Sequence, residues 1–354
     1  MQLSLDFKAI ISLPQADSHW FSSLHAVDAN RAFLHFITAK RFDQQHWLVE
    51  VTRESGQVNT NIMEIPVELR TVPPTEEDDD PVDAFAIFIL NGKVGILQGD
   101  SRIHLFDSLD AKPRTMTVVK PFPQVKSTTF GWKASFIPIS CGKASGNLIP
   151  VVFQRPTEPV DYACFYSLLE INEAAGSASW VAATAKSRTP MHVRYERSNA
   201  RHRDTFHLGP ILHDLAWDGK RLAAWVIGER ESIKRWGMSY SALLRCNMDG
   251  SKAELICDVA GECYGKLLQV DNLLILTPIS RAAPRKGKQS LLNLGSLVEE
   301  PIELPRGLST ARVLDLADQT FWGVAGAKWL NINSAVPVKE GEPFTVLAMR
   351  ASNI

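Results

Sequence analysis

The feature that most constrains this chain is a hairpin pair that returns along its length. Residues 211–229, ILHDLAWDGKRLAAWVIGE, place Asp218-Gly219 between two apolar runs. Residues 239–259, SYSALLRCNMDGSKAELICDV, do the same with Asp249-Gly250. Asp-Gly suits the positive φ angles that short hairpin turns demand, so each segment reads as two antiparallel strands. Related first hairpins surround Asn30, Asn91, Asp271 and Asp318, and SFIPISCGKASGNLIPVVFQ is the most irregular of them. Second hairpins recur as HWLVEVTRESGQVNTNIMEI, SRIHLFDSLDAKPRTMTVV, YSLLEINEAAGSASWVAA and SLLNLGSLVEEPIEL. The runs are about 5 to 9 residues long and rich in β-branched and aromatic residues.

A four-strand unit recurring about six times predicts an all-β fold of the β-propeller type. Each unit is one blade, and a closed ring leaves only short edges. Seven blades is the alternative, and two stacked β-sandwiches come third. Residues 1–354 read as one propeller domain. The strand near Phe7–Leu13 precedes the first full unit and is expected to join the last blade and close the ring. The segment LLRCNMDGSKAELI, residues 243–256, resembles the strand–DGS–strand tail of TolB-like and YWTD-like propeller repeats. That resemblance implies a propeller and carries over no functional residue.

The 354 residues are 45% hydrophobic and 22% charged, which is globular composition. With 38 Lys plus Arg against 39 Asp plus Glu, no global field draws nucleic acid or an anionic membrane. No secretory signal or membrane span is read. Five cysteines, an odd number without a C-x-x-C pair, read as reduced thiols. The expected location is cytoplasmic.

Long connections are expected at residues 67–82, 120–134, 155–161, 186–210, 230–238 and 281–288. Each links a fourth strand to a first or a second to a third, so all emerge at one end of the blades. Long loops on a rigid scaffold are where binding resides. Residues 186–204, KSRTPMHVRYERSNARHRD, carry Arg194, Arg197, Arg201 and Arg203 and read as a basic loop. Arg281 and Arg285 form a second. Trp132, Arg235 and Trp236 add interface-type anchors.

These residues are the candidate binding set. The expected partner is a protein with an acidic surface, with no membrane and no nucleic acid. The acidic run TEEDDDP, residues 75–81, reads as solvated linker. There is no G-x-S-x-G, H-E-x-x-H, P-loop or G-x-G-x-x-G motif. His213 and Asp214 are strand neighbours and point to opposite faces, so they make no dyad. No blade-periodic acid is read on the first strands.

The reading leans against an enzyme and expects no cofactor, no metal and no catalytic residues. It favours a binding propeller, such as a cytoplasmic toxin-neutralising (immunity) protein or an assembly scaffold. A hydrolase or lyase acting on a small molecule or glycan in the central channel is the alternative. Nucleic-acid binding through residues 186–204 and 281–288 is the third reading.

Overall fold

Asn91 and Gly92 take φ of 51° and 76°, the paired left-handed geometry of a type I′ turn. They join Phe85–Leu90 to Lys93–Gln98. Ser55-Gly56 and Asp318-Gln319 repeat the geometry. At the two Asp-Gly sites only the glycine is left-handed. There the aspartate caps the turn instead: Asp218 Oδ1 accepts from the Lys220 and Arg221 amides.

The computed structural model describes the chain except residues 15–17, 41–42, 73–81, 124, 127–132, 135, 155–163, 185, 187, 200–201, 210–212, 233–234, 262, 269–272, 279–287, 309–310, 326–343 and 352–354. Among the described residues, six four-stranded meanders follow one another, and the described helix is a single turn, Val67–Arg70. The inner strands, in chain order, are Ser18–Ala26, Phe85–Leu90, Ile137–Cys141, Asp214–Trp217, Cys263–Leu268 and Arg312–Ala317. We number the blades one to six in that order. Blade six takes its outermost strand, Leu3–Ile11, from the start of the chain, paired antiparallel to Phe344–Ala351.

Six apolar clusters hold the ring, one at each junction between neighbouring blades. Phe33 and Leu48 of blade one meet Ile87 and Ile96 of blade two. Phe88 of blade two meets Phe153 of blade three. Val152 and Tyr166 pack on Leu215 and Val226. Trp225 packs with Leu267 and Leu274, and Ile275 with Val313 and Phe321. Trp322 and Val346 of blade six meet Leu34 and Val49 of blade one. The sequence of contacts returns to its start, so the fold is a closed β-propeller. Strands within it are buried on both faces, which is why the second strands read as unbroken apolar runs such as Ile149–Phe153 rather than as alternation.

Buried tryptophans stitch the junctions with their polar edges. Trp225 Nε1 donates to the Cys263 carbonyl at 2.9 Å, and Trp322 Nε1 to the Asp28 carbonyl at 2.9 Å. A Cβ at Gly265 would lie 2.6 Å from the Trp225 ring, so this contact needs glycine. Blades two and three are joined further out. Arg114–Val119 pairs in parallel with Ser177–Trp180, and the two blades share one continuous sheet.

Candidate functional site

The fourth-to-first and second-to-third connections share one end of the disc, and there blade four carries an added hairpin on its sheet. Its second and third strands, Leu222–Ser232 and Arg235–Cys246, run far past the inner strand. Asp214–Trp217 pairs only with residues 222–225, and beyond it His202–His207 pairs with residues 227–232. Arg194–Ser198 pairs in turn with residues 203–207. Six residues of extra strand amount to about 20 Å of height.

Residues 194–207 are therefore a hairpin within a sheet, where the sequence reads a loop, and residues 230–238 are mostly strand. The misreading has a physical cause. One face of the hairpin is solvated and charged, and the other buries Asp204 and Phe206 with Tyr195 half-buried against the same apolar cluster, too few apolar residues to read as a strand. Phe206 lies flat over Gly228, where a Cβ would sit 2.3 Å from its ring.

The extension is curled. Arg197 Nη2 reaches Asp258 Oδ2 at 3.0 Å, although Arg194–Ser198 and Glu254–Ala260 are opposite edges of the sheet. Laid flat, four strand spacings would separate them by about 19 Å. Arg197 Nε also donates to Asp204 Oδ2 at 2.6 Å, and Asp204 is 0% exposed. Arg197 is thus a tie holding the curl shut. Arg194 and Arg203 lie on the outer face, 54% and 53% exposed, and both pair with Glu196. With Thr205, His207, Glu229 and Glu231 they line a shallow groove of about 260 Å³. The surface is a mixture of both signs rather than a basic patch.

Arg235 pairs with Ser232 at the end of the extension, with Trp236 next to it, and their backbones lie in strand. The side chains of Arg235 and Trp236, and all of Trp132, Arg201, Arg281 and Arg285, lie outside the described residues. So does the acidic run at residues 75–81.

The central channel holds a second polar centre. Lys143 of blade three extends to blade six on the far side of the ring. Its Nζ is 2.7 Å from Asp315 Oδ1 and donates to the Leu316 carbonyl at 2.8 Å. Asp315 Oδ2 accepts from the Ala26 amide of blade one at 2.9 Å. Asp214 Oδ2 accepts from the Leu267 amide of blade five at 2.7 Å, while Lys266 Nζ lies 3.6 Å from Asp214 Oδ1. Each aspartate thus fastens its own blade to the inner strand of the next.

Burial would raise the Asp315 carboxyl, but Lys143 and Lys266 outweigh it and hold it below the usual range. Burial pushes Asp214 up, against the pull of Lys266. Burial would lower Lys266, and Asp214 and Asp315 keep it raised. His25, near Lys266, Asp315 and Lys143, is driven down to about 3, chiefly by burial.

Two of the six inner strands carry an acid at equivalent places, short of a recurrence in every blade. The signal was present: Asp214-Leu215-Ala216 and Asp315-Leu316-Ala317 are the same three residues at the same place in two blades. His213 likewise has a partner, across the blade junction. Its Nε2 lies 2.8 Å from Ser140 Oγ. A further buried relay joins blades one and two, where His35 Nε2 is 3.0 Å from His46 Nδ1 and His46 Nε2 is 3.1 Å from Asp83, itself held by Arg70. Among the described residues no cluster of three or more His, Cys, Asp or Glu is placed to hold a metal ion, and no helix is long and apolar enough to cross a membrane.

Fold and strand order thus define a β-propeller with one elaborated face. No protein-family model matches the chain. No curated protein matches it either. Among solved structures it is similar to an oligogalacturonate lyase in complex with manganese, at 8% identity and a TM-score of 0.42, over 99% of this chain and 98% of that one. An oligogalacturonate lyase from Vibrio parahaemolyticus gives 9% and 0.43, over 98% of both chains. YCF48 bound to a D1 peptide gives 9% and 0.38, over 99% of this chain and 98% of that one.

Proposed function

We propose that this propeller binds a protein partner through the face bearing the long connections. The observation that carries the reading is the extension of blade four, a curled sheet about 20 Å tall on that face. Its hairpin is braced by Arg197 and presents Arg194 and Arg203 to solvent. A hydrogen-bonded sheet loses less freedom on docking than an open loop does, which favours recognition. Arg235 and Trp236 at the tip, with Trp132, Arg281 and Arg285 on the neighbouring connections, complete the proposed surface. Acidic groups on the partner would compete with Glu196 for Arg194 and Arg203. A cytoplasmic immunity protein or assembly scaffold would have this form. The channel offers a second reading, because two carboxylates, two lysines and a histidine from different blades converge there.

The test is capture of the partner from native lysate by wild type and by variants. Arg194→Glu/Arg203→Glu should keep the wild-type melting temperature, since exposed loop and edge charges change stability by only about 0.5 kcal/mol each. It should lose capture. Arg197→Ala behaves differently. It removes one ion-pair partner of a buried carboxylate, and with Arg197 itself 40% exposed the loss is about 1–3 kcal/mol, seen as earlier melting. Capture that survives the double variant and Trp236→Ala would sink the assignment of this face.

A further inference from the structure

We propose that Ser140 and His213 form a nucleophile and general-base pair at the junction of blades three and four, able to cleave small esters. The proposal stands apart from the protein-binding reading and concerns a different part of the molecule.

The pair is set by the fold. The inner strands of blades three and four lie side by side, and Lys143 bridges Ala216 in parallel register. Three residues back on each side stand Ser140 and His213. The strands come this close because Gly142 has no side chain; a Cβ there would lie 1.8 Å from the Leu215 carbonyl oxygen. Ser140 Oγ and His213 Nε2 are then 2.8 Å apart, within the reach a base needs to activate a hydroxyl. Both residues are partly exposed.

The proposed pair takes the imidazole with its proton on Nδ1, the tautomer in which Nε2 accepts from the serine. Burial pushes His213 down to about 4, so it is neutral near pH 7.

In the reaction, Ser140 Oγ bonds to the ester carbonyl carbon as its proton passes to His213 Nε2. The ester C–O bond breaks, and the alcohol leaves carrying that proton. Water then adds to the acyl-serine and gives a proton to His213. Collapse of that adduct breaks the serine ester, returns the proton to Ser140 and releases the carboxylic acid. The sum is ester plus water giving acid plus alcohol.

The test uses the full chain and a fluorophosphonate probe, with the labelled peptide identified by mass spectrometry. The expected result is a single adduct on Ser140, with p-nitrophenyl acetate hydrolysed faster than by Ser140→Ala. His213→Gln should slow labelling by about 100-fold or more, the usual contribution of a general base. The wild-type measurement needs no variant to fold. No adduct, an adduct at another residue, or undiminished labelling in a folded His213→Gln variant would each overturn the proposal.

Discussion

Replacing Asp315 with alanine should lower the unfolding free energy by about 3–5 kcal/mol, the loss expected when one partner of a buried ion pair is removed. The effect is large because Asp315, 2% exposed, serves three blades at once. It neutralises Lys143 of blade three, accepts the Ala26 amide of blade one, and belongs to blade six. Truncation leaves the ammonium facing the Leu316 carbonyl without its counter-charge, and leaves a buried amide unpaired. Lys143→Met should cost less, because Asp315 keeps its amide donors and its lysine was 21% exposed. The double variant Lys143→Met/Asp315→Leu should recover part of the loss, since buried pairs replaced by apolar residues are often neutral. Urea melts read all three. An Asp315→Ala midpoint equal to wild type would refute the cross-channel tie.

Acid should weaken the fold well above the range where carboxylates titrate. His25 and His213 are held down to about 3 and about 4, chiefly by burial, and His35 is lowered well below its usual value by burial and by His46. A histidine lowered in the folded state takes its proton more readily when unfolded. Its contribution is therefore complete above about pH 6.5 and is lost as pH falls. Each such group removes about 1.4 kcal/mol per pH unit below that point. Asp100 works the other way. Burial raises it to about 6, so the folded state binds a proton between pH 6 and 4 that the unfolded chain does not. The balance favours loss, by about 2–3 kcal/mol between pH 6.5 and 5. Parallel urea melts at those two values check it, and His25→Gln/His213→Gln should flatten the difference. Identical stability at both would falsify the assignment of neutral buried histidines.

How much was legible beforehand depends on which physical signal a residue leaves. The meanders were readable because their turns need unusual backbone: Asn91-Gly92 and the Asp-Gly pairs announce themselves. The blade-four extension was not readable, because Arg194–Ser198 and His202–His207 alternate charged residues with few apolar ones. A hairpin whose inward face pairs Asp204 with a half-exposed Arg197 has the composition of a loop. The channel centre was hidden by distance. Lys143 and Asp315 are 172 residues apart, and only the ring's geometry makes them neighbours. Asp214 and Asp315 could have been found from their shared Asp-Leu-Ala. Ser140 and His213 have no local motif, since their pairing depends on the parallel register of two blades.

The pairing of Leu3–Ile11 with Phe344–Ala351 also governs how the molecule can be made. Leu3–Ile11 is synthesised more than 330 residues before the strand it pairs with. Meanwhile Leu3, Phe7, Ala9 and Ile11, all buried in the finished ring, stay available to any unpaired strand edge nearby. Bringing ends separated by some 330 residues together costs about 5 kcal/mol of chain entropy. That cost falls in one late step rather than being spread over local contacts. Closure of this propeller should therefore be slow and sensitive to chaperone supply, with chains whose ring is not yet sealed as the species that aggregates.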